Sequence, residues 1–78
     1  VENGAKIRFG LAVRSIRREH GMSQEALAEA AELHRTYISD IERGSRNPSL
    51  TTMVKLADAL STPLAQLVAF HEPMSDPC

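Results

Sequence analysis

The 78-residue chain has no tryptophan, a single cysteine and only three aromatic residues, Phe9, Tyr37 and Phe70. With Cys78 alone, an intramolecular disulfide is excluded, and the chain fits a reducing cytoplasm. No apolar run approaches the roughly 20 residues that a membrane span requires, and no signal-peptide pattern opens the chain. No segment alternates with period two, and β-branched and aromatic residues never cluster, which leaves no sheet to build. His20, His34, His71 and Cys78 are the only soft metal ligands, and none pair at ligand spacings, so no metal is expected. Asp40 and Glu42, two apart, diverge on a helix and make no acid/base pair. There is no glycine-rich phosphate loop or nucleophile elbow, and a chain this short has little room for a substrate or effector pocket. An enzyme is not expected, nor a cofactor. Charge of one sign is lacking too. Nine Lys+Arg against ten Asp+Glu give a net charge of -1, which as a total argues mildly against a nucleic-acid partner.

What is present is a series of short helical patterns. Phe9, Val13, Ile16 and His20 line one face of a helix from about 5 to 19, with Asn3 as its cap and Gly21 as its stop. Ser23 caps a second helix, 24–31, through Leu27, Ala28 and Ala31. A third covers 35–43 and ends at Gly44, a residue suited to a left-handed terminus. After the Ser45–Pro48 loop, Ser49 caps a fourth helix, 50–60, with Leu50, Met53, Val54, Ala57 and Leu60 on one side. A fifth, 63–70, has Thr62 as cap and Pro63 in its first turn, and the tail 71–78 frays. The fold class is therefore all-α: one domain, 1–78, of five helices around one core. So small a chain buries only about 60% of its unfolded surface, and self-association would help it.

On the third helix, Tyr37, Ile38 and Ile41 fall in one sector, and Arg35, Thr36, Ser39, Asp40 and Arg43 fall on the other. A guanidinium, two hydroxyls and a carboxylate are groups that address base edges, and helix, three-residue turn and helix is the layout of a helix-turn-helix.

The segments Gly21-Met22-Ser23-Gln24-Glu25-Ala26-Leu27-Ala28, Tyr37-Ile38-Ser39-Asp40-Ile41-Glu42-Arg43-Gly44 and Arg46-Asn47-Pro48-Ser49-Leu50 occur in that order. Together they resemble the Cro/repressor-type (xenobiotic-response-element) helix-turn-helix regulators, over Phe9 to Phe70, and the length resembles the controller proteins of restriction-modification systems. The resemblance implies a lambda-repressor-like DNA-binding domain. It places His34, Arg35, Thr36, Ser39 and Asp40 at the major groove, Arg35 being the bidentate partner for a guanine. Ser23 and Gln24 would hold phosphate at the start of helix two, and Arg43, Arg46, Asn47 and Ser49 would grip the backbone on the other side.

Arg17 continues the apolar stripe of helix one, where an unpaired charge would cost several kcal/mol. Glu42 matches the family's partner for it, so the two are expected to staple helix one to helix three. Two positions depart from the family pattern. Glu32 stands where glycine is usual, at a cost of roughly 1 kcal/mol if its backbone is left-handed. His34 replaces a better cap. Asp40 faces phosphates and makes sense either as an acceptor for a cytosine amine or, slightly preferred, as an intramolecular partner of Arg43 at i+3.

Leu64, Leu67, Val68 and Phe70 either finish the monomer core or form a homodimer surface, the region through which the family commonly dimerises. The expected partners are double-stranded DNA and a second copy of the chain, in the cytoplasm, and no membrane. A module that keeps the fold for protein interaction, as antitoxin-like proteins do, is the alternative. Divided by segment, the charge is +4 over 1–18, -4 over 19–32, +1 over 33–46 and -2 over 47–78. The near-neutral total hides cations that can lie near phosphates, and it implies weak non-specific binding.

Overall fold

The computed structural model describes residues 2–69. Phe70 and the tail 71–78 lie outside the described residues. The elements are α1 (Glu2–Glu19), α2 (Gln24–Ala31), α3 (Arg35–Glu42), α4 (Leu50–Ala59) and α5 (Leu64–Val68). Helix α1 begins earlier than its apolar stripe, so Asn3 lies within the helix and is not its cap. His20 falls in the turn after α1 and is exposed, and Arg17 takes its expected place on the buried face. Arg43 is the residue that closes α3, at φ -83°.

Four helices end in the same way, which explains the short links between them. The N–H groups of Met22, Leu33, Ser45 and Thr62 each donate five residues back, to the carbonyls of Arg17, Ala28, Asp40 and Ala57 at 2.8–3.1 Å. The residue before each donor is left-handed: Gly21, Glu32, Gly44 and Ser61, at φ 69°, 60°, 76° and 52°. This is the Schellman closure, which satisfies the orphan carbonyls of a helix end. Thr62 is engaged in the closure of α4, its hydroxyl donating to the Leu60 carbonyl at 3.0 Å, so it does not cap α5. Pro63 stands at that cap instead, and α5 starts one residue later than expected. Ser23 and Ser49 cap α2 and α4, accepting from the N–H of Ala26 at 3.0 Å and of Thr52 at 3.2 Å.

The core is built from Phe9, Ala12, Val13 and Ile16 of α1, Leu27, Ala28 and Ala31 of α2, Ile38 and Ile41 of α3, and Leu56, Ala57, Leu60 and Leu67 from the last part of the chain. Helix α3 packs on α1 and α2, α4 on α2, and α5 on α1 and α4. Helix α4 is rotated from the expected orientation. It buries Thr52, Leu56, Ala57 and Leu60, while Leu50 and Val54 stay 64% and 42% exposed. The buried sector is the one covered by the neighbours of α4, α2 and α5, and Thr52 can enter because Ser49 donates to its hydroxyl oxygen at 3.1 Å. Leu67 is fully buried in the monomer, which settles it as core and removes it from the dimer-surface candidates; Leu64 is half-buried and Val68 exposed.

Where α1 crosses α3 the backbones nearly touch. A Cβ at Gly10 would lie 3.0 Å from the Glu42 carbonyl oxygen and closer still to that of Ile41. No side chain fits there. Only that approach brings Arg17 within reach of Glu42 two turns further along α1.

Candidate nucleic-acid interface

The turn between α2 and α3 keeps its closure although Glu32 occupies the left-handed position, at φ 60° and ψ 45°. An L side chain is strained there, and Glu32 is exposed, gaining nothing by burial. His34 caps α3 with its backbone alone; its side chain makes no capping bond. From this turn α3 leaves with His34, Arg35 and Thr36 exposed at its start and Ser39 and Asp40 half-buried further along the same side.

Behind this face a continuous polar network crosses the three helices. Arg17 donates from Nε to Glu42 Oε2 at 2.7 Å and from Nη2 to Glu42 Oε1 at 3.1 Å, a bidentate pair with side chains 11% and 5% exposed. Its remaining nitrogen, Nη1, donates to the Met22 carbonyl at 2.7 Å. Bonding to Glu42 raises the Arg17 pKa against the opposing effect of burial, so the guanidinium stays charged. Gln24 extends the network outward. Its amide nitrogen donates to Glu42 Oε1 at 3.1 Å, and its amide oxygen accepts from Arg35 Nη1 at 2.9 Å. Gln24, expected at phosphate, thus also tethers Arg35 to the buried pair. Ser23 is occupied as an acceptor, but its hydroxyl proton remains available at the start of α2.

A second cluster lies at the far end of α3. Arg43 Nη2 donates to Asp40 Oδ1, and Arg46 Nη2 donates to Asp40 Oδ2 at 3.2 Å. Arg43 also donates to Ser39 Oγ at 2.8 Å. The Arg46 guanidinium lies over the Tyr37 ring, 4.8 Å from its centroid, a cation–π contact. Hydrogen bonds from Arg46 first, then Arg43, hold the Asp40 carboxyl below the usual carboxylate range, burial opposing them in part. The apolar sector of α3 points Tyr37 only toward the core; its place under Arg46 is an addition that its amphipathic ring, at the edge of that sector, permits. Its hydroxyl donates to Thr52 Oγ1 at 3.4 Å. Asn47 and Ser49 are exposed beside this cluster, Ser49 already engaged as the cap of α4.

The structure does contain a concavity, contrary to the expectation from chain length. A cleft of about 440 Å³ opens between Lys6, Arg8 and Phe9 of α1, Asn47 and Pro48, Met53 and Val68. Its lining carries no carboxylate, histidine, cysteine or hydroxyl side chain. Among the described residues no group of three His, Cys, Asp or Glu side chains is placed to hold a metal, and no helix is long and apolar enough to cross a membrane.

A helix-turn-helix family model matches residues 13–67, which contain the network, α3 and the arginine cluster. The chain belongs to the helix-turn-helix family. It is 49% identical to the control protein C.BamHI of Bacillus amyloliquefaciens over 69 residues, which cover 87% of this chain and 85% of that one. Among solved structures it is similar to the restriction-modification controller protein C.AhdI from Aeromonas hydrophila, at 42% identity and a TM-score of 0.78, covering 80% of this chain and 94% of that one. It is also similar to the controller protein C.Esp1396I, whose tetramer was solved with its natural 35 base-pair operator, at 32% identity and a TM-score of 0.74, covering 83% and 95%. The resemblance to Cro/repressor-type and controller proteins and the five-helix fold class are thereby established for this helix-turn-helix chain.

Proposed function

We propose that the chain is a sequence-specific regulator that binds double-stranded DNA as a homodimer, with α3 in the major groove of a palindromic operator. The observation that carries this reading is the outward face of α3, which presents Arg35 and Thr36 free of the core, with Arg35 anchored from behind by the Arg17–Glu42–Gln24 network. An Arg fork fixed in this way matches the two acceptors of a guanine, a contact worth roughly 1–3 kcal/mol of discrimination. His34 and Ser39 flank it. The N-terminus of α2 with Ser23 and Gln24, and the Arg43–Ser49 segment, supply the phosphate contacts on either side.

Homodimerisation through α5 and the residues that follow it in sequence, using Leu64, Val68 and Phe70, sets two α3 helices about one DNA turn apart, roughly 34 Å. Exposed Val68 favours this arrangement, and the operator-bound tetramer of C.Esp1396I shows that a relative assembles on DNA. The regulator works in the cytoplasm, occluding a promoter or helping to recruit polymerase, with no cofactor.

Selection of binding sites from random duplex DNA tests the reading. A palindromic consensus should emerge, with affinity falling steeply as salt rises. Arg35→Ala should relax one base position per half-site, and Arg46→Ala should weaken all sequences alike. No enriched sequence and indifference to salt would favour the interaction module instead.

A further inference from the structure

The backbone grip contains a carboxylate where electrostatics alone would place none. Asp40 lies on the outward side of α3, and each of its two oxygens is held by a different arginine of the segment that would meet phosphate. Neither arginine hangs free. Arg43 is fixed a second time by Ser39 Oγ, and Arg46 a second time by the Tyr37 ring. A carboxylate whose oxygens are both engaged in charge-assisted bonds is a poor reader of a cytosine amine, because it would have to release an arginine first. Three groups, one negative and two positive, thus act as a unit of charge +1 with fixed geometry.

We infer that Asp40 is a specificity-determining positioning residue: it clamps Arg43 and Arg46, cancels one of their charges, and so suppresses binding to unrelated DNA more than binding to the operator. Non-specific binding is almost wholly electrostatic and grows with each uncompensated cation at the phosphates. Operator binding, in contrast, gains from arginines already held in place, since their side-chain freedom is removed before DNA arrives. The clamp therefore widens the ratio between the two affinities. This inference rests on the DNA-binding reading above.

The test compares the full chain with Asp40→Asn, which keeps the size and removes the charge, on the selected operator and on an unrelated duplex of equal length. The variant should bind unrelated DNA more tightly, with a salt exponent larger by about 0.9, so that its advantage shrinks about 3.5-fold when salt is raised fourfold. The ratio of operator to unrelated affinity should fall, while the base preferred at every position of a repeated selection stays the same. In the Arg46→Gln background the effect of Asp40→Asn on unrelated DNA should diminish, because the charge it cancels is partly gone. Loss of preference at one base pair per half-site would show Asp40 to be a base reader and overturn the clamp. An unchanged affinity ratio, or an Asp40→Asn effect of equal size with and without Arg46, would overturn it as well. If the wild-type chain selects no sequence, the DNA-binding reading itself fails, an outcome separate from these.

Discussion

Replacing Arg17 with alanine removes three hydrogen bonds at once, two to Glu42 and one to the Met22 carbonyl. What remains is a carboxylate only 5% exposed, with the Gln24 amide as its one side-chain donor. Breaking a buried ion pair from one side costs about 3–5 kcal/mol, because the surviving charge stays desolvated. Gln24 retains part of the solvation, which points to the lower end, about 3 kcal/mol. In a domain of this size the whole stability is roughly 4–12 kcal/mol. The loss should lower Tm by about 12–24 °C. Urea and thermal melts followed by circular dichroism, at one fixed protein concentration, measure it. The paired variant Arg17→Met with Glu42→Leu sharpens the test, since replacing both charges by apolar groups removes the desolvation problem and should restore most of the loss. A single variant that loses under about 1 kcal/mol, or a double variant less stable than the single, would refute the view that the pair matters through its buried charges.

Three further outcomes follow from the geometry. Glu32→Gly relieves a left-handed L residue on an exposed turn and should raise stability by about 1 kcal/mol in the same melts; a decrease would mean that the Glu32 side chain does something its exposure hides. Gly10→Ala places a methyl group against the Ile41 and Glu42 carbonyls and should destabilise the fold by about 1–3 kcal/mol or more, because one backbone must move; a neutral result would show that α1 and α3 can separate freely. The Asp40 clamp has a defined pH window, since its carboxyl is depressed in the folded state. Its contribution should be complete above the unfolded aspartate pKa near 4 and vanish as pH falls through the lower folded value. The difference in Tm between wild type and Asp40→Asn should therefore close on going from about pH 7 to about pH 2, and a constant difference would exclude the mechanism.

Much of the interface was legible because its signals are local. Helix α2 and the start of α3 follow from a Ser cap, an apolar stripe and a break, all within a few residues. Arg17 stood out because a charge interrupts a 3.6-residue stripe, and a partner was required wherever the stripe is buried. The left-handed backbone at Glu32 came from alignment with a pattern that favours glycine, whereas Ser61, which plays the same part after α4, carried no such mark. Helix α4 was read with Leu50 and Val54 inward, because amphipathicity defines an arc and not the neighbour that covers it. Its true orientation depends on α2 and α5.

The sequence by itself determined the helical class, the helix-turn-helix and the outward set of polar residues on α3, since these rest on periodicity and on caps that act within one turn. Tertiary structure alone decided how those polar residues are wired. That Gln24 joins Glu42 to Arg35, that Tyr37 supports Arg46, and that Arg46 joins Arg43 on Asp40 are all consequences of where three helices and a loop meet. Net charge counts cations and anions without regard to place. It could not distinguish an anion that repels DNA from one that sets the position of the cations that bind it, because Coulomb interactions fall off with a distance that only the fold supplies.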